Sequence, residues 1–164
     1  MYRVGHWGVS LLVFAPVGFA LVEMGTPELA FVLGAAMCWL AMLPDYDHRI
    51  PGLSHRGPTH TILFALLVGG VGGGAATLLA TARGLSEPQT TTLVGFGFAT
   101  GALTILAHLV ADALTPAGIR PFWPLSSRKV TLSLWTADNT FANYGLFALG
   151  VFAVAATAYL SLVV

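Results

Sequence analysis

The feature that most constrains this chain is a set of five stretches without a single Asp, Glu, Lys, Arg or His: residues 7–22, 29–44, 61–82, 88–107 and 139–164. A membrane-spanning helix needs about 20 mostly apolar residues, within a range of about 17–25. Three of the stretches reach that length. The first two reach it by taking in polar residues at their ends, such as His6 and Asp45. With 164 residues in all, the stretches leave no room for a soluble domain, and no internal repeat is visible. The sequence therefore predicts an all-α fold, a single domain over residues 1–164 built as an integral membrane bundle of five transmembrane helices.

Composition points the same way. Charged residues make up 9% of the chain, against about 25% in a typical soluble domain, and the mean hydropathy is +0.81. A soluble globule with so few charges would have to leave most of its exterior apolar. Seven basic and seven acidic residues give zero net charge, so there is no electrostatic footprint for nucleic acid, and none is expected as a partner. The lone cysteine, Cys38, closes no internal disulfide and reads as a packed, inert thiol in an apolar run. Gly69, Gly70, Gly72, Gly73 and Gly74 in the third span, and Gly95, Gly97 and Gly101 in the fourth, suit close helix approach in lipid.

Arg3 ahead of an apolar stretch, with Gly18-Phe19-Ala20 behind it, also matches the outline of a secretory signal. The membership of His6 in a polar set favours a retained helix. Five spans put alternate connections on opposite sides. Arg3, Arg49, Arg56, Arg120, Arg128 and Lys129 fall on one side and only Arg83 on the other. Basic residues favour the cytoplasmic side, so the expectation is a multi-pass protein of the cytoplasmic membrane with its N-terminus inside.

The few ionisable groups converge. Leu43-Pro44-Asp45-Tyr46-Asp47-His48 ends span two, His55-Arg56-Gly57-Pro58-Thr59-His60 leads into span three, and His108 and Asp112 sit in the last turns of span four. Alternating topology brings all three pieces to one membrane face, together with His6 at the start of span one. His108 and Asp112 are four apart and share a helix face. Pro44 ends span two and leaves Asp45 and Asp47 on irregular backbone. Pro58 suits a helix's first turn, so His60 projects from a helix start.

Each piece also has a plain structural reading: a His–Asp brace, capping carboxylates, or interfacial anchors such as His6 beside Trp7. Four such coincidences at one face favour a site, since intramembrane ionisable residues are costly. Mixed imidazole and carboxylate donors fit Zn²⁺, with Mn²⁺ or Fe²⁺ as alternatives, better than Ca²⁺ or Mg²⁺. Pro121, Phe122, Trp123, Pro124 and Trp135 read as an aromatic shelf at the interface.

His6, LPDYDH (43–48), HRGPTH (55–60) and HLVADALTPAGIRPFWP (108–124) together resemble the YdjM-type, LexA-regulated membrane-bound metal-dependent hydrolases, over roughly three quarters of the chain. That family is in turn similar to the zinc-dependent phospholipase C and single-strand nuclease superfamily, helical enzymes that hold metal clusters with histidines and aspartates. The resemblance implies metal ligands at His6, Asp45, His60, His108 and Asp112, with Asp112 placed to bridge two ions and His6 serving the second. Asp47, His48 and His55 are candidates to orient those ligands. No histidine follows Asp112, and Asp138 is the only later acid, so one or two ions are expected rather than three.

A metal with an open coordination position lowers the pKa of bound water to about 7. Asp47, or Asp45 where Asp45 is not a ligand, is the candidate to take that water's proton. The planar fork of Arg56 suits a phosphoryl group. The expected function is phosphoester hydrolysis on a small-molecule or lipid-linked substrate at the cytoplasmic face, with carboxylic ester or amide hydrolysis as the runner-up chemistry. The competing class is a non-catalytic protein that senses, carries or transports the metal. A transporter needs polar groups through the bilayer, whereas here the ionisable groups gather at one face, which favours the enzyme.

Overall fold

The computed structural model describes residues 1–163. Five long helices run Arg3–Glu23 (α1), Pro27–Leu40 (α2), Ile62–Arg83 (α3), Glu87–Ala113 (α4) and Thr140–Val163 (α5). Two 3₁₀ segments, Pro44–Arg49 and Pro58–His60, lie between α2 and α3. With the first of these included, all five helical segments are long and apolar enough to cross a membrane, the second spanning Pro27–Arg49. Among the described residues the only extended pairing is an isolated antiparallel bridge between Ile119 and Val130.

Burial is inverted relative to a soluble protein. Trp39 is 84% exposed and Phe141 93%, while His6, His60, His108, Asp112, Thr115 and Asn143 are essentially sealed from solvent. Apolar side chains outside and polar ones inside are what lipid as solvent requires, because polar groups in hydrocarbon must find partners within the protein.

Helices α1 and α4 form the centre. α1 packs on α5, α2 and α4; α4 packs on α3, α2 and α1; α3 and α5 flank the bundle, each chiefly against one neighbour. The seams are made by small residues. A Cβ on Gly101 would stand 2.5 Å from the Val68 carbonyl oxygen, and one on Gly97 would stand 2.6 Å from that of Gly72. On the other flank, a Cβ on Gly150 of α5 would lie 2.5 Å from the Gly8 carbonyl oxygen. Such contacts exclude any side chain. Gly70, Gly74 and Gly95 face open space instead. Close approach thus explains only part of the glycine-rich run, because α3 buries the face marked by Ala65, Gly69, Gly73, Ala76 and Ala80.

Helix ends fix the connections. α3 stops at Gly84, whose left-handed backbone (φ +62°) lets its N–H bond back to the last turn. After α4, residues 115–134 double back, and the terminal carbonyls of α4 are taken up there. Leu132 N–H donates to Ala113 O (2.7 Å), Leu134 N–H to Leu114 O (2.9 Å), and Thr131 Oγ1 to Thr115 O (2.7 Å). The same loop holds the start of α3, through Ile62 N–H to Pro121 O at 2.9 Å. Of the residues read as an interfacial shelf, Phe122, Trp123 and Pro124 are exposed and Pro121 is buried. Trp135 departs from that reading, since its indole N–H is enclosed. Cys38 is half-buried and not fully packed.

Candidate metal centre

The N-termini of α1, α3 and α5 and the C-termini of α2 and α4 share one end of the bundle, and the site is built there. α4 carries His108 and Asp112 one helical turn apart. Pro44 starts the 3₁₀ segment that presents Asp45 and Asp47, and Pro58 starts the one that presents His60. Each proline lacks the N–H that continued α-helix would need and suits a first turn.

Four donor atoms meet: one each from Asp45, His60, His108 and Asp112, all within 4.8 Å of one another. His108 Nε2 lies 3.2 Å from His60 Nε2. Asp45 Oδ1 is 3.3 Å from His60 Nε2 and 3.5 Å from His108 Nε2. Asp112 Oδ2 is 3.4 Å and 3.6 Å from the same two nitrogens. Donors held about 2.0–2.1 Å from one ion at tetrahedral angles stand roughly 3.3–3.4 Å apart. The spacing therefore suits a single small cation.

The surrounding bonds prepare those atoms. His108 Nδ1–H donates to Ala41 O at 2.7 Å, which leaves Nε2 as the lone-pair nitrogen. Thr59 Oγ1 donates to Asp47 Oδ2 at 2.9 Å and accepts from His60 Nδ1–H at 3.0 Å, so His60 likewise turns Nε2 inward. Asp112 Oδ2 is buried and has no hydrogen-bond donor. An uncompensated buried carboxylate oxygen facing two imidazole lone pairs is costly in a bare protein, and a cation removes that cost. The residues present fit a metal.

His60 lies outside the spanning helices. Burial opposes its charged form, yet the Asp112 and Asp45 carboxylates beside Nε2 outweigh this and hold its pKa above the ordinary 6.5.

His6 stands beside the four. Its ring stacks on His108 (centroids 4.1 Å apart, planes 7° apart), and both ring nitrogens are buried without a partner. Its Nε2 is 3.8 Å from Asp112 Oδ1 and 3.9 Å from Asp45 Oδ2, the carboxylate oxygens not used by the four-donor group. Arg56 competes for that position: its Nη2 donates to Asp112 Oδ1 at 2.9 Å, and the Met1 amino group lies 3.6 Å from the same oxygen.

Asp47 and Arg56 are placed outside the group of four donors. Asp47 is sealed, and both its oxygens are occupied: Oδ1 by His55 Nδ1 (3.0 Å), Oδ2 by Arg56 N–H (3.2 Å) and Thr59 (2.9 Å). It sits behind His60, 3.4 Å from Nδ1, on the side of the ring away from the donor cluster. Arg56 does not hold its fork out towards solvent. Its backbone is left-handed (φ 59°), an uncommon state for a non-glycine residue. The turn sends Nη1 to Thr115 Oγ1 (3.3 Å) and Gly118 O (3.1 Å) as well as Nη2 to Asp112.

His48 and His55 stack on each other (3.7 Å) at the rim; with Asp47 they form a second His/Asp group. Thr59, Thr115 and Asn143 were not anticipated. Asn143, at the start of α5, accepts from Tyr2 N–H (2.9 Å) and donates to Ala137 O and Asn139 O, joining α5 to the start of α1. A lone amide in an apolar span at the depth of the site was the available signal. Asp138 is exposed, its carboxyl held below the ordinary range by the Thr136 hydroxyl, and it takes no part.

Fold and site together define a multi-pass helical membrane protein with a buried His/Asp cluster at one end, suited to a metal ion. Compared with known families, the chain matches the YdjM inner membrane protein family over residues 1–164, and it belongs to that family. No curated protein and no solved structure matches it.

Proposed function

We propose that this inner membrane protein is a metal-dependent hydrolase acting on a phosphoester, free or lipid-linked, at the cytoplasmic face. The observation that carries the reading is the set of four donors at single-ion spacing, three of them buried, with one carboxylate oxygen among these left without a hydrogen bond. Zn²⁺ is the preferred ion, with Mn²⁺ or Fe²⁺ as alternates. Three protein ligands leave a position open in catalytic zinc sites, and His60, His108 and Asp112 are the most enclosed of the four. A bound ion of this kind supplies Lewis acidity and makes water a better nucleophile near neutral pH.

Asp45 is the natural proton acceptor. It is the least enclosed member, with 19% of its side chain exposed. It also borders a surface cavity of ≈ 230 Å³ with Arg3, Tyr46 and His48. Asp47 and Thr59 hold His60 in orientation. Arg56 pairs with Asp112 Oδ1, which favours one ion over two and leaves His6 as a stacking partner of His108.

Elemental analysis of purified protein and of His108→Ala tests the metal: the expected result is about one ion per chain, lost in the variant, and near-zero metal in both would remove the proposal. Asp45→Asn is expected to keep the ion and lose turnover; loss of the ion would make Asp45 a ligand instead. Metal-replete protein in detergent is to be screened against phospholipids, prenyl phosphates and generic phosphodiesters. Failure on all of them, or activity that survives both Asp112→Ala and His60→Ala, sinks the hydrolase. A metal retained without any turnover would favour a non-catalytic sensor or carrier.

The N-terminus is proposed to face the cytoplasm. Single cysteines in 84–89 are expected to react with external reagent in intact cells and those in 126–130 to be protected; the reverse pattern inverts the orientation.

A further inference from the structure

Next to the donor cluster, on the far side of Arg56, lie two adjoining cavities. The smaller, ≈ 210 Å³, is bordered by His55, Arg56, Gly118, Arg120 and Lys129 and is mostly polar. The larger, ≈ 310 Å³, shares His55, Arg56 and Arg120 but adds Leu53, Pro58 and Trp123. No carboxylate borders either one. Arg56 is already paired with Asp112, so the charge facing the space comes from Arg120 and Lys129.

Among the described residues Arg120 makes no ion pair and no side-chain hydrogen bond, so all five donors of its fork are free. Lys129 commits one donor to Pro116 O at 2.8 Å, which fixes its ammonium at the rim and leaves two. Of the five Arg56 donors, three are used inward. Two cations without an ion pair around a polar hollow, with the Arg56 guanidinium linking it to the donor cluster, form a receptor for a compact anion of two negative charges.

We infer that these cavities are a binding site for a phosphate monoester group, held by Arg120 and Lys129 in the smaller chamber. The organic part of the molecule lies in the larger one, against Leu53 and Trp123. Arg56 joins the site to the cluster, reaching Asp112 on one side and bordering both chambers on the other. The inference rests on the phosphoester reading for calling the ligand a substrate, but not for its binding.

The experiment measures binding and requires no turnover. Full-length protein in detergent is titrated with inorganic phosphate. Protein in nanodiscs of phosphatidylcholine, with and without a minority of phosphatidic acid, is probed for protection of a cysteine placed at Ser54. Arg120→Gln and Lys129→Gln each keep an N–H donor at an exposed position, and Arg128→Gln serves as a charge-matched control outside the cavities.

The double variant R120Q/K129Q is expected to weaken binding about tenfold or more, as removal of charge-assisted hydrogen bonds implies, with metal content unchanged and R128Q equal to wild type. Phosphate binding in detergent identifies a free phosphate as sufficient; protection by phosphatidic acid alone identifies the lipid headgroup. No binding by either probe, unchanged binding in R120Q/K129Q, or equal weakening in R128Q overturns the site. A protein that binds phosphate through Arg120 and Lys129 but contains no metal would keep this inference while removing the hydrolase.

Discussion

The two ends of the bundle are built differently. At the end that holds the donor cluster, α1 buries Gly5, His6, Gly8, Val9 and Ser10, and α4 buries nine of the twelve residues from Gly101 to Asp112. At the other end the helices part. One apolar cleft of ≈ 400 Å³ runs between α1, α2 and α5 from Cys38, towards the cluster end, to Ser161 at the far end, and another of ≈ 390 Å³ opens beside the start of α4. The charged residues there, Glu23, Glu28, Arg83 and Glu87, are all exposed. Tight packing is spent where polar groups need fixed partners. Where only lipid-compatible side chains meet, loose contact suffices, because lipid tails replace the missing neighbours at little cost.

This contrast can be broken most severely at Asp112. Asp112→Asn removes a carboxylate from the cluster and a partner from Arg56, and complete loss of bound metal is expected by elemental analysis. Asp47→Asn should act through His60: metal affinity is expected to fall about 10–100-fold with the helical spectrum unchanged, the size typical of changes just outside the ligands.

Packing gives the next effect. Gly101→Leu places a side chain against the Val68 carbonyl and is expected to cost about 1–3 kcal/mol in thermal unfolding in detergent. Gly95→Leu, six residues away in open space, should stay within about 0.5 kcal/mol. Equal losses would mean that Gly95 is packed as closely as Gly101.

A pH series sharpens the comparison further. The pKa of His60 is raised above 6.5 in the metal-free protein, so its charged form stabilises the fold. That stabilisation is full below 6.5 and is lost as pH rises through the raised value. Metal needs the neutral ring, so affinity is expected to climb over the same interval while metal-free thermal stability declines. Metal affinity that does not change with pH there would separate His60 from the ion. The smallest effect belongs to the far end: Arg83→Gln and Glu87→Gln should leave metal content and melting unchanged.

Much of this was legible in the residues. The charge-free runs marked the spans, and alternating topology alone carried His6, Asp45, His60, His108 and Asp112 to one end. The less legible part depends on the path of irregular backbone. Nothing in HRGPTH states that Arg56 takes a left-handed turn and points inward, or that Thr59 stands between Asp47 and His60. Asp45 and Asp47 are two residues apart and read alike, yet the 3₁₀ turn sends one to the cluster and the other behind it. The glycines read alike too, and only the helix phase separates Gly69 and Gly73 from Gly70 and Gly74.

The doubling back of residues 115–134 has a consequence for how the protein is made. Every donor of the cluster has been synthesised by residue 112, but the Ala113 and Leu114 carbonyls that follow Asp112 find their partners in Leu132 and Leu134. A nascent chain halted between these points carries the full ligand set on an unfinished helix end. The donor set is complete in composition some twenty residues before the helix end beside it is complete in form.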